Sequence, residues 1–278
     1  MESLKYILSI ISGGILLEVL KLFYPDIKNI FNRKIEAKKI FNKHSDTILK
    51  SADELFGKIY SLAKEDFQLF TKYNKDKDEM NKIYVLYLFA SFWASLSILK
   101  KESSYFHLAR IKKGERLLCF VTSYESKKNR ILDRSYQRAI GESVVQKDNS
   151  NYQIMSLFEF TNEYNNEDSN LRKVITPLEK SLFLTGDKTH RQKILLFGII
   201  IQSLIDFLDR KHNVVRNREP YINKLSLKTK GELKNRIFNH YLTFVKNASI
   251  YYKKRPPAKY DLQLLAKSLF GRVRILNR

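Results

Sequence analysis

Three stretches of this chain are apolar almost without interruption, and between them hydrophobic residues recur at helical spacing. The first runs from Leu4 to Phe23, with a Ser12-Gly13-Gly14 step at its middle and only Lys5, Glu18 and Lys21 as charges. The second, Ile83 to Leu99, carries no charge and is bounded by Lys82 and by Lys100-Lys101. The third, Ile194 to Leu208, is interrupted by Gln202 and Asp206 and is too short to cross a bilayer, so it reads as the central buried helix of a folded body. Glycine and proline number only 9 and 5 among 278 residues, so long stretches pass without turn punctuation. The expected class is all-α: an N-terminal transmembrane helix followed by a multi-helix cytoplasmic bundle.

Along the chain, Tyr24-Pro25-Asp26 is expected to end or kink the first helix, with Asp26 capping the next. Ile27 to Lys43 then reads as a basic helix. Ser45 opens another, with Ile48, Ala52, Leu55, Phe56, Ile59, Leu62 and Ala63 at helical spacing. Asn74 to Asp78 is a charged turn. Residues 83–99 suit either a core helix or a second span. The core is preferred, because Tyr84, Tyr87 and Trp93 lie within the stretch and not at both ends, where a membrane belt would put them. Further helices are predicted over 115–132, 133–146, 155–164, 231–245 and 260–270, and over 171–184 with a break at Pro177. The longest loops are expected at 162–170 and 216–230.

The opening stretch admits four readings. A signal peptide is disfavoured, because Glu2 opposes Lys5 and Glu18-Val19-Leu20-Lys21 offers no small-residue cleavage site. A helix lying flat on a membrane needs one polar face, and Lys5, Ser9 and Ser12 fall nearly opposite Glu18 and Lys21. An ordinary buried helix remains open. The preferred reading is an uncleaved span, since about 20 residues suffice to cross. Lys28, Arg33, Lys34, Lys38, Lys39 and Lys43 follow at once, and basic flanks favour the cytoplasm. The expectation is therefore a single-pass protein of the inner (cytoplasmic) membrane, with its N-terminus outside. Residues 1–25 form the anchor, 26–44 a basic juxtamembrane helix and 45–278 a helical cytoplasmic domain. Glu18 lies near the inner end, three residues from Lys21, where it can pair and snorkel. A carboxylate within a span is also the residue an oligomeric membrane pore would use. Gly13-Gly14 allows close backbone approach, and hence packing of this helix against copies of itself.

A formal net charge of +22 changes the picture of partners. Anionic inner-leaflet lipid and nucleic acid are both expected attractors. The single cysteine, Cys119, excludes an internal disulfide framework and reads as a buried structural thiol among Leu117, Leu118, Phe120 and Val121. No glycine-rich phosphate loop is present, and the five histidines show no metal-ligand spacing, so neither cofactor nor metal is expected. Basic clusters occur at 110–113, 127–130 and 210–218, and at Lys253-Lys254-Arg255, spread as on any solvated basic surface. Arg236-Ile-Phe-Asn-His240 sets an arginine and a histidine at i,i+4, where they could hold a phosphate and move a proton. The pair resembles the Arg-x(4–6)-His signature of the HEPN ribonucleases. It is one residue too short, and Ile237 stands where that family expects a polar residue. A solvent-facing pair on a basic helix is the favoured reading.

The layout also resembles a group of bacterial proteins in which one N-terminal helix with a Ser-Gly-Gly-like step leads into an all-helical cytoplasmic domain. Four segments carry the resemblance: residues 51–60 (SADELFGKIY), 86–90 (LYLFA), 137–142 (QRAIGE) and 204–209 (LIDFLD). It implies a fold type and an anchor, and no activity or catalytic residues. Within 137–142, Arg138 and Glu142 at i,i+4 are expected to form a structural salt bridge. The function these readings favour is a membrane-anchored, non-enzymatic binding or assembly protein, in stress or phage-defence signalling by analogy of layout alone. The alternatives are a basic nucleic-acid-binding protein or HEPN-like ribonuclease, and the pore.

Overall fold

The computed structural model describes residues 2–103, 105–149 and 151–253, with side chains described except at 2–23, 25, 27 and 105. It is mostly helical. Helix α1, Glu2–Lys64, spans 63 residues without a break. It is followed by α2 (Gln68–Thr71), α3 (Lys75–Glu102), α4 (Tyr105–Ala109), α5 (Lys112–Glu125) and α6 (Arg134–Ser143). A β-hairpin of β1 (Val145–Asp148) and β2 (Asn151–Ile154) comes next, then α7 (Leu157–Asn165), α8 (Asn170–Phe183), α9 (Lys188–Leu208) and α10 (Leu227–Glu232). A π-helix, Leu233–Tyr241, continues directly from α10.

Several expectations are corrected here. Helix α1 does not end at Tyr24-Pro25-Asp26, and Ser45 does not start a new helix. Ala37, Phe41, His44, Ile48, Leu49 and Ala52 form one buried stripe across that position. The Ser45 hydroxyl donates back to the Asn42 carbonyl at 3.1 Å, a bond within the helix and not a cap. Helix α8 runs through Pro177, because Leu171, Ile175, Leu178 and Leu182 bury one continuous face on either side of it. The expected loop at 162–170 is mostly helix, with Ser169 accepting from the Arg172 amide at 3.0 Å to cap α8. The predicted helix over 231–245 is the end of α10 followed by the π-helix. An all-α fold is interrupted by the hairpin, where Val145 faces Ile154 and the turn uses Asn149 at φ 51°.

The core forms around α3, which is buried at nearly every position from Ile83 to Leu99. It packs between α1 and α6, and α9 lies against α1 and α5. Among the described residues α3 is the one helix long and apolar enough to cross a membrane, and it is enclosed by the protein. Phe92, Tyr124 and Phe197 interlock at its centre, with ring centroids 5.3 to 6.1 Å apart. Gly141 lets α6 sit directly on α3: a Cβ there would lie 2.7 Å from the Trp93 carbonyl carbon and oxygen. Residues 254–278, with Lys254, Arg255 and the helix expected over 260–270, lie outside the described residues. So do the side chains of Gly13, Gly14, Glu18 and Lys21.

Candidate functional site

The C-terminal turns of α9 end in a segment that turns back over the body. Asp209 closes that turn: its carboxylate accepts from the Asn213, Val214 and Val215 amides at 3.0, 2.8 and 3.0 Å. Burial works against the charge, but these three donors hold the Asp209 carboxyl below its usual range. His212 takes a left-handed φ of 52° within the turn, which brings its Nε2 to 3.3 Å from Asp206 Oδ1 on α9. Farther on, the Arg218 guanidinium pairs with Asp53 of α1. From the other side, the chain after the π-helix delivers Tyr251, whose phenol donates to Asp206 Oδ2.

These segments and the N-terminal half of α5 enclose a cavity of ≈ 860 Å³, within the usual size of ligand sites. Its floor is polar. Burial pushes the Asp206 carboxyl above its usual range, against the Tyr251 hydrogen bond and the nearby His212. The same burial, with Asp206 beside it, drives the Tyr251 phenol well up. Gln202 is 4% exposed, and its Nε2 donates to the Arg218 carbonyl at 2.6 Å. A carbonyl can only accept, so this bond fixes which way the amide points. Gln202 Oε1 is left buried with no donor, and His212 Nδ1 is likewise buried and unpartnered. A buried orphan of this kind costs about 1–3 kcal/mol. The rim is basic: Lys113 and Arg116 from α5, Arg210 and Lys246 from the two segments. Phe207 and Phe244, with centroids 5.8 Å apart, form an apolar wall.

In the sequence Gln202 and Asp206 register only as interruptions of an apolar stretch, His212 only within the basic 210–218 cluster and Tyr251 only beside the basic cluster at Lys253. Gln202, Asp206, His212 and Tyr251 form no motif, and only the turn held by Asp209 and the returning segment bring them together. The residues that were singled out lie elsewhere. Lys28, Arg33, Lys34, Lys38 and Lys39 are all exposed on α1, whereas Lys253, also exposed, follows Tyr251 of the cavity by two residues. Arg138 donates to both oxygens of Glu125 on α5, at 3.2 and 2.8 Å, joining Lys100 and Arg134 around that carboxylate. Glu142, its expected partner, is exposed. Arg236 Nε donates to Asn129 Oδ1 at 2.9 Å, and Nη2 reaches the Lys128 carbonyl at 3.3 Å and Glu232 at 3.4 Å. His240 is exposed, with its ring edge-on to Tyr241 at 4.7 Å. The guanidinium thus ties the π-helix to the loop after α5. Cys119 is half-buried, and burial followed by the charge of Glu115 pushes its thiol up. Among the described residues no group of three His, Cys, Asp or Glu side chains is placed to hold a metal. Comparison with protein-family models, with curated proteins and with solved structures finds no match to this chain.

Proposed function

We propose that this chain is a membrane-tethered helical binding protein, held by its opening helix at an anionic inner leaflet with its body on the cytoplasmic side. The observation that carries the reading is the exposed stalk of α1. Every residue from Lys28 to Glu36 is exposed, including Ile30 at 54%, Phe31 at 62% and Ile35 at 40%. Among the described side chains of α1, burial against the body begins at Ala37. A lone helix that bares large apolar groups among lysines and arginines suits an interface with lipid better than bulk water. Each cation near an anionic leaflet contributes about 1 kcal/mol of attraction. The apolar stretch from Leu4 to Phe23 supplies the span, and the basic flank its orientation.

The test is expression with and without residues 1–25, followed by fractionation and sizing. The full chain is expected in the membrane fraction, released by detergent and not by high salt or carbonate, and the shortened chain in the supernatant. Recovery of the full chain in the supernatant without detergent overturns the reading.

A further inference from the structure

We infer that the cavity between α5, the C-terminal end of α9 and the segment bearing Tyr251 binds a nucleoside phosphate. The occupant is defined by what the walls lack. Gln202 Oε1 is an acceptor with no donor, fixed in direction by the bond from Nε2 to the Arg218 carbonyl. It calls for an N–H or O–H on the ligand, and the unpartnered Nδ1 of His212 calls for a second polar contact beside it. Lys113, Arg210 and Lys246 border the opening, and among the described residues no acidic side chain forms a salt bridge with any of the three. They call for an anion at the mouth. Phe207 and Phe244 also line the cavity, packed edge-on to each other, and give it an apolar wall against which a flat ring can lie. A donor-bearing ring at the floor and a phosphate at the rim meet all three demands. A bare inorganic anion leaves the floor unsatisfied, and an uncharged base leaves the rim so.

Two neighbouring groups are already engaged. Arg218, which also lines the cavity, is already paired with Asp53, so the anion falls to the three cations that have no acidic partner among the described residues. Asp206 is occupied by Tyr251 and His212, so it shapes the floor and does not compete for the ligand. This inference stands apart from the tether: fractionation reads the tether, and binding in detergent reads the cavity.

The experiment is calorimetric titration of the full chain in detergent with the four ribonucleoside 5′-monophosphates, and with the four ribonucleosides, orthophosphate and glucose 6-phosphate as separate arms. Saturable binding of at least one nucleotide is expected, with its nucleoside and orthophosphate each weaker by about tenfold or more. Arg210→Gln and Lys113→Gln, at exposed positions, are expected to weaken the nucleotide by about three- to tenfold each and to leave the nucleoside unchanged. Gln202→Met is expected to weaken nucleotide and nucleoside alike by about tenfold, with circular dichroism confirming the fold. Absence of saturable nucleotide binding overturns the inference. So does nucleotide binding unchanged in the Arg210→Gln/Lys113→Gln double variant, or glucose 6-phosphate binding as tightly as the nucleotide.

Discussion

At the scale of single residues, the charge that matters most to the fold is one the sequence reads only as a flank. Lys82 bounds the apolar stretch of α3, yet it is 6% exposed. Its Nζ lies 3.0 Å from Glu79 and 2.8 Å from Glu179, with the rings of Tyr73 and Tyr164 at 5.3 and 5.4 Å. Tyr73 donates to Glu79, and burial and that bond push its phenol up to about 12. Removing one partner of such a group leaves buried charge uncompensated. Lys82→Gln is therefore expected to cost about 3 kcal/mol in urea unfolding, while a double change of Lys82 and Glu179 to methionine recovers most of that loss. Gly141 is a second such position. Residues 137–142 stand out in the sequence, and their charges suggest a pair between Arg138 and Glu142. The structure gives the tightest constraint to the glycine between them. Gly141→Ala is expected to lower stability by about 2 kcal/mol as α6 is forced off Trp93, read as a fall in the urea midpoint.

At the scale of elements, what was legible follows from how each segment is buried. Helices α3 and α9 are enclosed on nearly all sides, so an unbroken apolar run announces them. The hairpin was not legible, because its strands are only four residues long: β1 does not alternate, and the alternation of Asn151, Tyr152, Gln153 and Ile154 in β2 is too short to stand out. Breaks expected from local chemistry at Ser45 and at Pro177 are overridden by continuous buried stripes, which outweigh a single residue's preference, whereas α1 passes Pro25 with exposed neighbours at Tyr24 and Asp26. The cavity was illegible for a different reason. Its floor comes from segments about fifty positions apart, and its key atom, Gln202 Oε1, is defined by a partner it lacks. Because burial among the described side chains of α1 starts at Ala37, a chain lacking residues 1–36 is expected to keep its helical circular dichroism, with a thermal midpoint within about 3 °C of the full chain. A collapse of cooperativity in that variant refutes the assignment of the stalk as separate from the core.

At the scale of the whole molecule, the buried charges set how the fold answers acid. His44 is 4% exposed beside Glu102; burial lowers its pKa below 6.5, against the pull of Glu102. Its neutral form is thus favoured in the fold, and the stability it contributes is present above pH 6.5 and lost as pH falls through its folded value. Burial opposes ionisation at Glu79, Glu125 and Glu179, but their hydrogen bonds and cations bring all three below 4.5. Their contribution is present above pH 4.5 and is lost on further acidification. Asp206 runs the other way: its raised pKa gives a contribution that is full below pH 3.8 and is lost as pH rises through its folded value. Three carboxylates and a histidine outnumber it. The urea midpoint is therefore expected to fall between pH 7 and 5 and again, more steeply, below pH 4.5. A midpoint flat across that range contradicts the network.

The unbroken run of α1 also sets a distance. About a dozen residues of stalk lie between the apolar stretch and the first helix position packed on the body, roughly 18 Å at 1.5 Å per residue. Counterions damp electrostatic fields over about 8 Å at physiological ionic strength. If the apolar stretch spans a membrane as proposed and the helix stands upright, the globular part begins about 18 Å from the hydrocarbon edge, beyond one screening length of the headgroups, so its lysines feel lipid charge more weakly than those of the stalk.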